Sequence, residues 1–215
     1  MIKFLVVRHG FSLANQQEIF AGATDIPLSE AGLKQANLVS EYLLKNYTID
    51  AVYSSELTRA KDTVKQVSEH LAIPLITLPA FNEIFGGKWE GVTFAEIYAK
   101  YKDDLLTWRN DIYNSRCTGG ESFLELKNRV TKGLQSLAFN RENEGKTIVI
   151  ASHAGAIRSL LAGILNLNEK ECSELGWVAN ASTTTIVYDN GKFTVESLGY
   201  ADYLASLKTE LPNNI

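Results

Sequence analysis

An α/β fold with a mostly parallel central sheet and an antiparallel edge is predicted for this 215-residue chain on three observations. Apolar runs at residues 2–7 and 147–151 read as strands, and the near-continuous one at 147–151 has the composition of a strand buried on both faces. Segments with apolar residues three and four apart separate such runs, as crossover helices do. Near the end, Asn190-Gly191 joins strands 183–188 and 192–198 in a two-residue hairpin, which adds the antiparallel edge.

The elements follow in order. Residues 2–7 form the first strand, and Ser29 caps a helix to about residue 46 with Leu33, Ala36, Val39 and Leu43 inward. Residues 50–54 make a short strand. Helix 56–71 follows, with one buried stripe of Leu57, Ala60, Val64, Val67 and Leu71, and residues 74–78 give a third strand. Residues 81–121 are less regular, carry Trp89, Tyr98, Tyr101, Trp108 and Tyr113, and read as an excursion over one end of the sheet. Ser122 and Glu125 form a capping box that opens a helix with Phe123, Leu126, Val130, Leu134 and Leu137 inward. Strand 147–151 leads into helix 153–165, whose Ile157, Leu160, Leu161 and Ile164 share a face, and a polar tail begins after about Leu204. No repeat or low-complexity linker divides the chain, so residues 1–215 are expected to be one domain.

Composition narrows the function. With 45% hydrophobic residues the chain can bury one sizeable core. Its net charge of −4, without any basic cluster, argues against a nucleic-acid partner. No apolar stretch is long enough for a bilayer, and the N-terminal run, broken by Arg8 and His9, is too short for a signal peptide. Cys117 and Cys172 lack metal-ligand spacing, as expected of a cytoplasmic protein with reduced thiols. No cluster of His and carboxylates suggests a metal, and no cofactor is implied.

Reactive residues recur at the ends of strands. Arg8 and His9 follow the first strand, Arg59 opens the helix after Ser54-Ser55, Glu83 lies just past the third strand, and His153 follows Ser152. In a parallel sheet these ends share one edge, where ligand crevices form. A strand that ends in polar residues, or a buried helix-capping His153, is the ordinary alternative; the repetition argues against it. The amides around Ala154 and Gly155 are expected to be unpaired at a helix N-terminus and to favour an anion. Two imidazoles, two arginines and a carboxylic acid suit phosphoryl transfer. His9 would attack phosphorus, Arg8, Arg59 and His153 would hold the oxygens, and Glu83 would protonate the departing alkoxide.

The segment from Leu5 to Asn15, containing Val7-Arg8-His9-Gly10, resembles the phosphate-pocket motif of the histidine phosphatase, or phosphoglycerate mutase-like, superfamily. The resemblance continues through Ala21-Gly22-Ala23-Thr24-Asp25, Ser54-Ser55-Glu56-Leu57-Thr58-Arg59-Ala60, Asn82-Glu83-Ile84, Lys88-Trp89-Glu90-Gly91, Gly119-Gly120-Glu121-Ser122 and Ser152-His153-Ala154-Gly155. It implies a three-layer α/β/α sandwich, a phosphohistidine on His9, a phosphate pocket of Arg8, Arg59 and His153, and Glu83 as proton donor. It also implies phosphate contacts from Asn15 and from the loop holding Gly22, with Ala154 beside them. Phe11 stands where many members carry Glu or Gln, and Ala21 where a polar residue is frequent.

The segment after Glu83 resembles the phosphatase branch, because no Arg-Arg pair of the cofactor-dependent mutases occurs. A cofactor-dependent phosphoglycerate mutase remains the alternative, and a non-catalytic phospho-ligand-binding regulatory domain is the alternative from another class. The partner expected is a small phosphorylated metabolite, and a homodimer is compatible with the chain. Phe11, Trp89, Arg109 and Arg116 are candidates for the substrate rim, with Phe85, Tyr98 and Trp108 nearby. Trp89 also suits a packing role, and Arg158 suits a solvent-facing one.

Overall fold

Successive side chains of β1 (Ile2–Arg8) point to opposite faces of its sheet, and both faces are apolar. The computed structural model describes residues 1–209. After β1 come α1 (Leu13–Gln16), β2 (Ile19–Phe20), α2 (Glu30–Asn46), β3 (Ala51–Ser54), α3 (Thr58–Leu71) and β4 (Leu75–Thr77). Next are β5 (Val92–Thr93), α4 (Phe94–Lys100), α5 (Lys102–Asn110) and α6 (Phe123–Phe139). The chain closes with β6 (Thr147–Ser152), α7 (Ala154–Ile164), α8 (Glu169–Glu174), β7 (Thr183–Asp189) and β8 (Lys192–Tyr200).

The main sheet has the order β4-β3-β6-β1-β7-β8. Strands β4, β3, β6 and β1 are parallel, β7 is antiparallel to β1, and β8 is antiparallel to β7. Phe4, Val6, Ile148 and Ile150 pack with Leu126, Val130 and Leu134 of α6 and Ile157 and Leu160 of α7. On the other face Leu5, Val7, Val149 and Ala151 meet Val39 and Leu43 of α2 and Ala60, Val64 and Val67 of α3. Each such side chain contributes about 1.5–3 kcal/mol on burial, far more than local propensity, so two-sided apolarity dictates the α/β/α layering. Asn190 and Gly191 both have positive φ, 47° and 80°, as the expected two-residue hairpin turn requires.

The 81–121 segment is more ordered than its sequence suggests. It holds β5, which pairs with β2, and helices α4 and α5, whose Ile97, Leu105 and Trp108 join the cluster beneath α6 and α7. Leu33 is a correction: it is 50% exposed, and Gln35 is buried on α2 in its place. The first turn of α2 lies against the backbone of residues 10 and 11, where the missing side chain of Gly32 permits contact with Phe11 O. Gln35 then accepts a hydrogen bond from Phe11 N at 2.7 Å and donates one to Leu207 O at 2.8 Å. The expected polar tail is corrected as well. Asp202–Leu207 forms a 3-10 helix that buries Leu204 against the α2 side, and residues 210–215 lie outside the described part.

Parallel register sets the place of the site. Arg8 pairs with Ser152, and the ladder continues past it: His9 N donates to Ser152 O at 2.9 Å and Ser55 N to Ala151 O at 2.9 Å. The carboxyl ends of β1, β3 and β6 therefore stand side by side. Gln35→Ala would leave the Phe11 N–H without its acceptor beneath this edge and is expected to cost about 1–3 kcal/mol in urea denaturation. An unchanged midpoint and slope would contradict this reading.

Candidate active site

His9 directly follows the last residue of β1. Its Nδ1 lies 2.7 Å from Gly10 O. A carbonyl only accepts, so Nδ1 carries the proton and Nε2 keeps its lone pair. The backbone is held equally firmly: His9 O accepts from Ala181 N and Asn180 Nδ2, both at 3.1 Å, and Gly10 N donates to Thr63 Oγ1 at 2.9 Å.

His153 occupies the N-cap of α7, with its ring centroid 5.1 Å from that of His9. Its Nε2 is 2.7 Å from Ser55 Oγ, and its Nδ1 has no partner although the residue is fully buried. When Ser55 donates its hydroxyl proton to Nε2, the neutral ring carries its own proton on Nδ1. Arg8 donates through Nη1 to Val178 O at 2.6 Å. Arg59, from the first turn of α3, donates to Thr24 O and Gly22 O at 2.7 Å each. Both arginines are buried, and the Nε of each lacks an acceptor. Arg8 Nε, Arg59 Nε and His153 Nδ1 are thus three buried, unpartnered nitrogens of residues gathered at one strand-end edge. Such a set suits an oxyanion with several oxygens.

Burial holds the pKa of both histidines well below the usual 6.5, and Arg59 and Arg8 lower them further. Burial also lowers Arg59, and it brings Arg8 down to about 10 against the opposing pull of Glu83.

Glu83 corrects one expectation. Two amides at the start of α7, those of Gly155 and Ala156, are not free for a ligand: Glu83 Oε2 accepts from Gly155 N at 3.0 Å, and Oε1 accepts from Ala156 N at 3.0 Å and Ile84 N at 2.9 Å. The carboxylate sits on the positive end of the helix dipole, so the protein's own acid takes those donors. Gly155 makes room for it, since a Cβ there would lie 2.6 Å from Glu83 Oε1.

Arg8, His9, Arg59 and Glu83 line one cleft, and Asn15, Gly22 and Ala154 line it too. His153 stands behind this surface in ring contact with His9. Asn15 also serves the capping role: its Oδ1 accepts from Ser12 N and Asn180 Nδ2, both at 3.1 Å. The four rim candidates lie elsewhere. Trp89 is buried, with its indole donating to Thr118 Oγ1 at 3.0 Å, and Arg109 is exposed. Arg116 is held by Gly120 O and Glu125, and Phe11, whose backbone bonds Gln35 and Ser29, is not among the residues that line the cleft. Of the neighbouring aromatics, Phe85 and Tyr98 are exposed and only Trp108 lines the cleft.

Two buttresses were not read from the sequence. Arg129 of α6 grips both oxygens of Glu121, at 3.0 and 2.8 Å, and donates to the carbonyls of Pro79, Ala80, Asn82 and Glu83 at 3.0–3.2 Å. One guanidinium therefore fixes the loop that carries Glu83. Glu90 accepts from Gly86 N, Ala23 N and Thr24 N at 2.7–2.8 Å, which shapes the loop whose carbonyls hold Arg59. Glu90 belongs to the Lys88-Trp89-Glu90-Gly91 motif, whose sequence alone does not disclose this role, and no local pattern marks Arg129. Arg158 is buried, not solvent-facing: it donates to Cys172 O at 2.8 Å and lies 4.6 Å over the Trp177 ring. Among the described residues no group of three or more His, Cys, Asp or Glu gathers as a metal site, and no helix is long and apolar enough to cross a membrane.

Residues 4–201 match the family model of the histidine phosphatase superfamily, branch 1. The chain is 29% identical over 210 residues to phosphoserine phosphatase 1 of Hydrogenobacter thermophilus, covering 98% of each. It is also 29% identical over 231 residues to a 2,3-bisphosphoglycerate-dependent phosphoglycerate mutase of Methanococcus vannielii, covering 93% of this chain and 95% of the mutase. A mycobacterial glucosyl-3-phosphoglycerate phosphatase, solved in complex with VO3, superposes with a TM-score of 0.84 at 29% identity, covering 93% of this chain and 99% of that one.

Neutral buried imidazoles make stability depend on pH. Below about 6.5 the unfolded chain binds protons that the folded one refuses, so their contribution is full above that value and is lost as pH falls toward the depressed folded values. Thermal unfolding between pH 7.5 and 5 is expected to show a declining Tm, with a shallower decline in a His9→Gln, His153→Gln double variant. Equal slopes for the two proteins would contradict the burial of neutral rings.

Proposed function

This chain belongs to the histidine phosphatase superfamily, branch 1, and on that premise we propose that it hydrolyses small phosphorylated metabolites without a metal, through a phosphohistidine on His9. It is a phosphomonoesterase of the phosphoglycerate mutase-like family; the proposal concerns the route and the residues. One observation carries it. The hydrogen bond from His9 Nδ1 to Gly10 O leaves Nε2 as the nucleophilic atom, beside buried donors that have no protein acceptor.

In the first step Nε2 bonds to phosphorus and the bond from phosphorus to the alcohol oxygen breaks. Glu83, as the carboxylic acid, gives the departing oxygen its proton. Its Oε2 accepts one backbone N–H where Oε1 accepts two, so Oε2 has room for that proton. Arg8, Arg59, His153 and Asn15 hold the non-bridging oxygens, where charge accumulates. The Gly10 carbonyl stabilises the positive ring of the phosphohistidine through Nδ1. In the second step water bonds to phosphorus as the Nε2 bond breaks, and Glu83 recovers a proton from that water.

The phosphatase-named relatives support hydrolysis. The mutase relative supports the same first step with a different acceptor, and interconversion of 3- and 2-phosphoglycerate, with and without bisphosphoglycerate, separates the two. The expected result is hydrolysis of p-nitrophenyl phosphate in EDTA and no interconversion. His9→Ala should abolish both turnover and acid-labile labelling; a retained label would put the nucleophile elsewhere, and no turnover at any pH would favour a phospho-ligand-binding domain.

Gly155→Ala tests the acid. The added methyl would displace Glu83, so phosphoenzyme formation from an alkyl ester should slow on the order of 10²-fold, as for a lost general acid. Formation from p-nitrophenyl phosphate, whose phenolate leaves unprotonated, should slow much less. Equal losses in rapid-quench measurements would contradict this role for Glu83.

A further inference from the structure

Beyond the groups that would hold phosphate, the cleft is walled by Ile19, Phe20, Ile84, Phe94, Trp108 and Trp177. Among the described residues no lysine lines it, and Arg8 and Arg59 are the only arginines that do. Arg8 gives one N–H and Arg59 two to backbone carbonyls, and the donors that remain on these two residues are the ones assigned above to the phosphate. A second anionic group on the substrate would meet apolar surface and would lose hydration without gaining a partner of its own.

The aromatic wall is braced. Phe20 meets Phe94, Trp108 and the buried Trp89 edge-on, at 5.9, 6.1 and 5.3 Å between ring centroids. Trp177 is half-buried, and the guanidinium of Arg158 lies 4.6 Å over its ring. Because Arg158 is itself anchored to Cys172 O, it fixes the attitude of Trp177. Trp108, which lines the cleft, is almost fully buried, and its indole Nε1 has no acceptor.

We propose that the alcohol portion of the substrate is a flat, apolar or aromatic group without a second anionic charge, packed against Trp108 and Trp177. This rests on the phosphatase reading above and names the substrate class for the same cleft. It sets the chain apart from enzymes whose esters carry a carboxylate, such as phosphoserine or phosphoglycerate.

The test compares benzyl phosphate, glycerol phosphate, phosphoserine and 3-phosphoglycerate on the wild-type protein. All four release an alkoxide that needs a proton, so the demand on Glu83 is similar and the comparison isolates recognition. Benzyl phosphate is expected to exceed each of the others by roughly tenfold or more in kcat/KM, the scale of discrimination that an apolar pocket supplies. In Trp177→Ala the ratio of benzyl to glycerol phosphate should fall by a similar factor. Phosphoserine or 3-phosphoglycerate turned over as well as benzyl phosphate would overturn the proposal and leave the phosphatase reading standing.

Binding gives an independent readout that needs neither turnover nor a variant. Tryptophan fluorescence should show benzylphosphonate binding at least about tenfold more tightly than 3-phosphonopropionate. That preference in a protein that hydrolyses none of the four esters would uphold the aromatic subsite and sink the phosphatase reading. Equal or inverted affinities would overturn the subsite itself.

Discussion

One backbone hydrogen bond, from His9 N–H to the carbonyl of Ser152, aligns the chemistry of this molecule. It extends the parallel ladder between β1 and β6 by one residue, so that His9 and His153 leave their strands at the same height. Ser55 does the same for β3 through Ala151 O, and its hydroxyl then reaches His153 Nε2. Parallel pairing thereby turns residues scattered over most of the sequence into neighbours. The two-sided apolar packing of β1 and β6 protects that register, because a slip of one residue would exchange the side chains of the two faces.

The site concentrates positive charge in a buried place. Each buried N–H left without an acceptor costs about 1–3 kcal/mol, and two arginines and a histidine each keep one such atom. The surrounding structure holds them there through carbonyls: Val178 O for Arg8, and Thr24 O and Gly22 O for Arg59. Glu90 in turn holds the loop of Gly22 and Thr24, and Arg129 holds the loop of Glu83. These outer residues explain why side chains with so few partners keep one geometry. Preorganised donors of this kind stabilise developing charge without having to reorient during reaction.

Much of this was legible in the residues alone, because burial and spacing are local signals. The apolar runs of β1 and β6, the Ser122 capping box and the Asn190-Gly191 hairpin each follow from short patterns. Placing Arg8, His9, Arg59, Glu83 and His153 on one edge followed from parallel topology, and the geometry brings them there. What could not be read depends on long-range contacts. Leu33 fits the helical period, yet the close approach of Gly32 to Phe11 turns the helix so that Gln35 goes inward. The amides of Gly155 and Ala156 looked free because their acceptor, Glu83, is 72 and 73 residues away. The sequence points to Phe11, Trp89, Arg109 and Arg116 for the rim, whereas the cleft wall includes Phe20 and Trp177, which no local pattern marks.

A crystal structure of the protein with vanadate tests the convergence most directly. The expected result is vanadium bonded to Nε2 of His9, with its oxygens in hydrogen-bond contact with Arg8, Arg59 and Nδ1 of His153, while Glu83 remains on the amides of Gly155 and Ala156. Vanadate bound outside the cleft, or seated in it without contact to His9 Nε2, would contradict the claim that these strand ends form one oxyanion site.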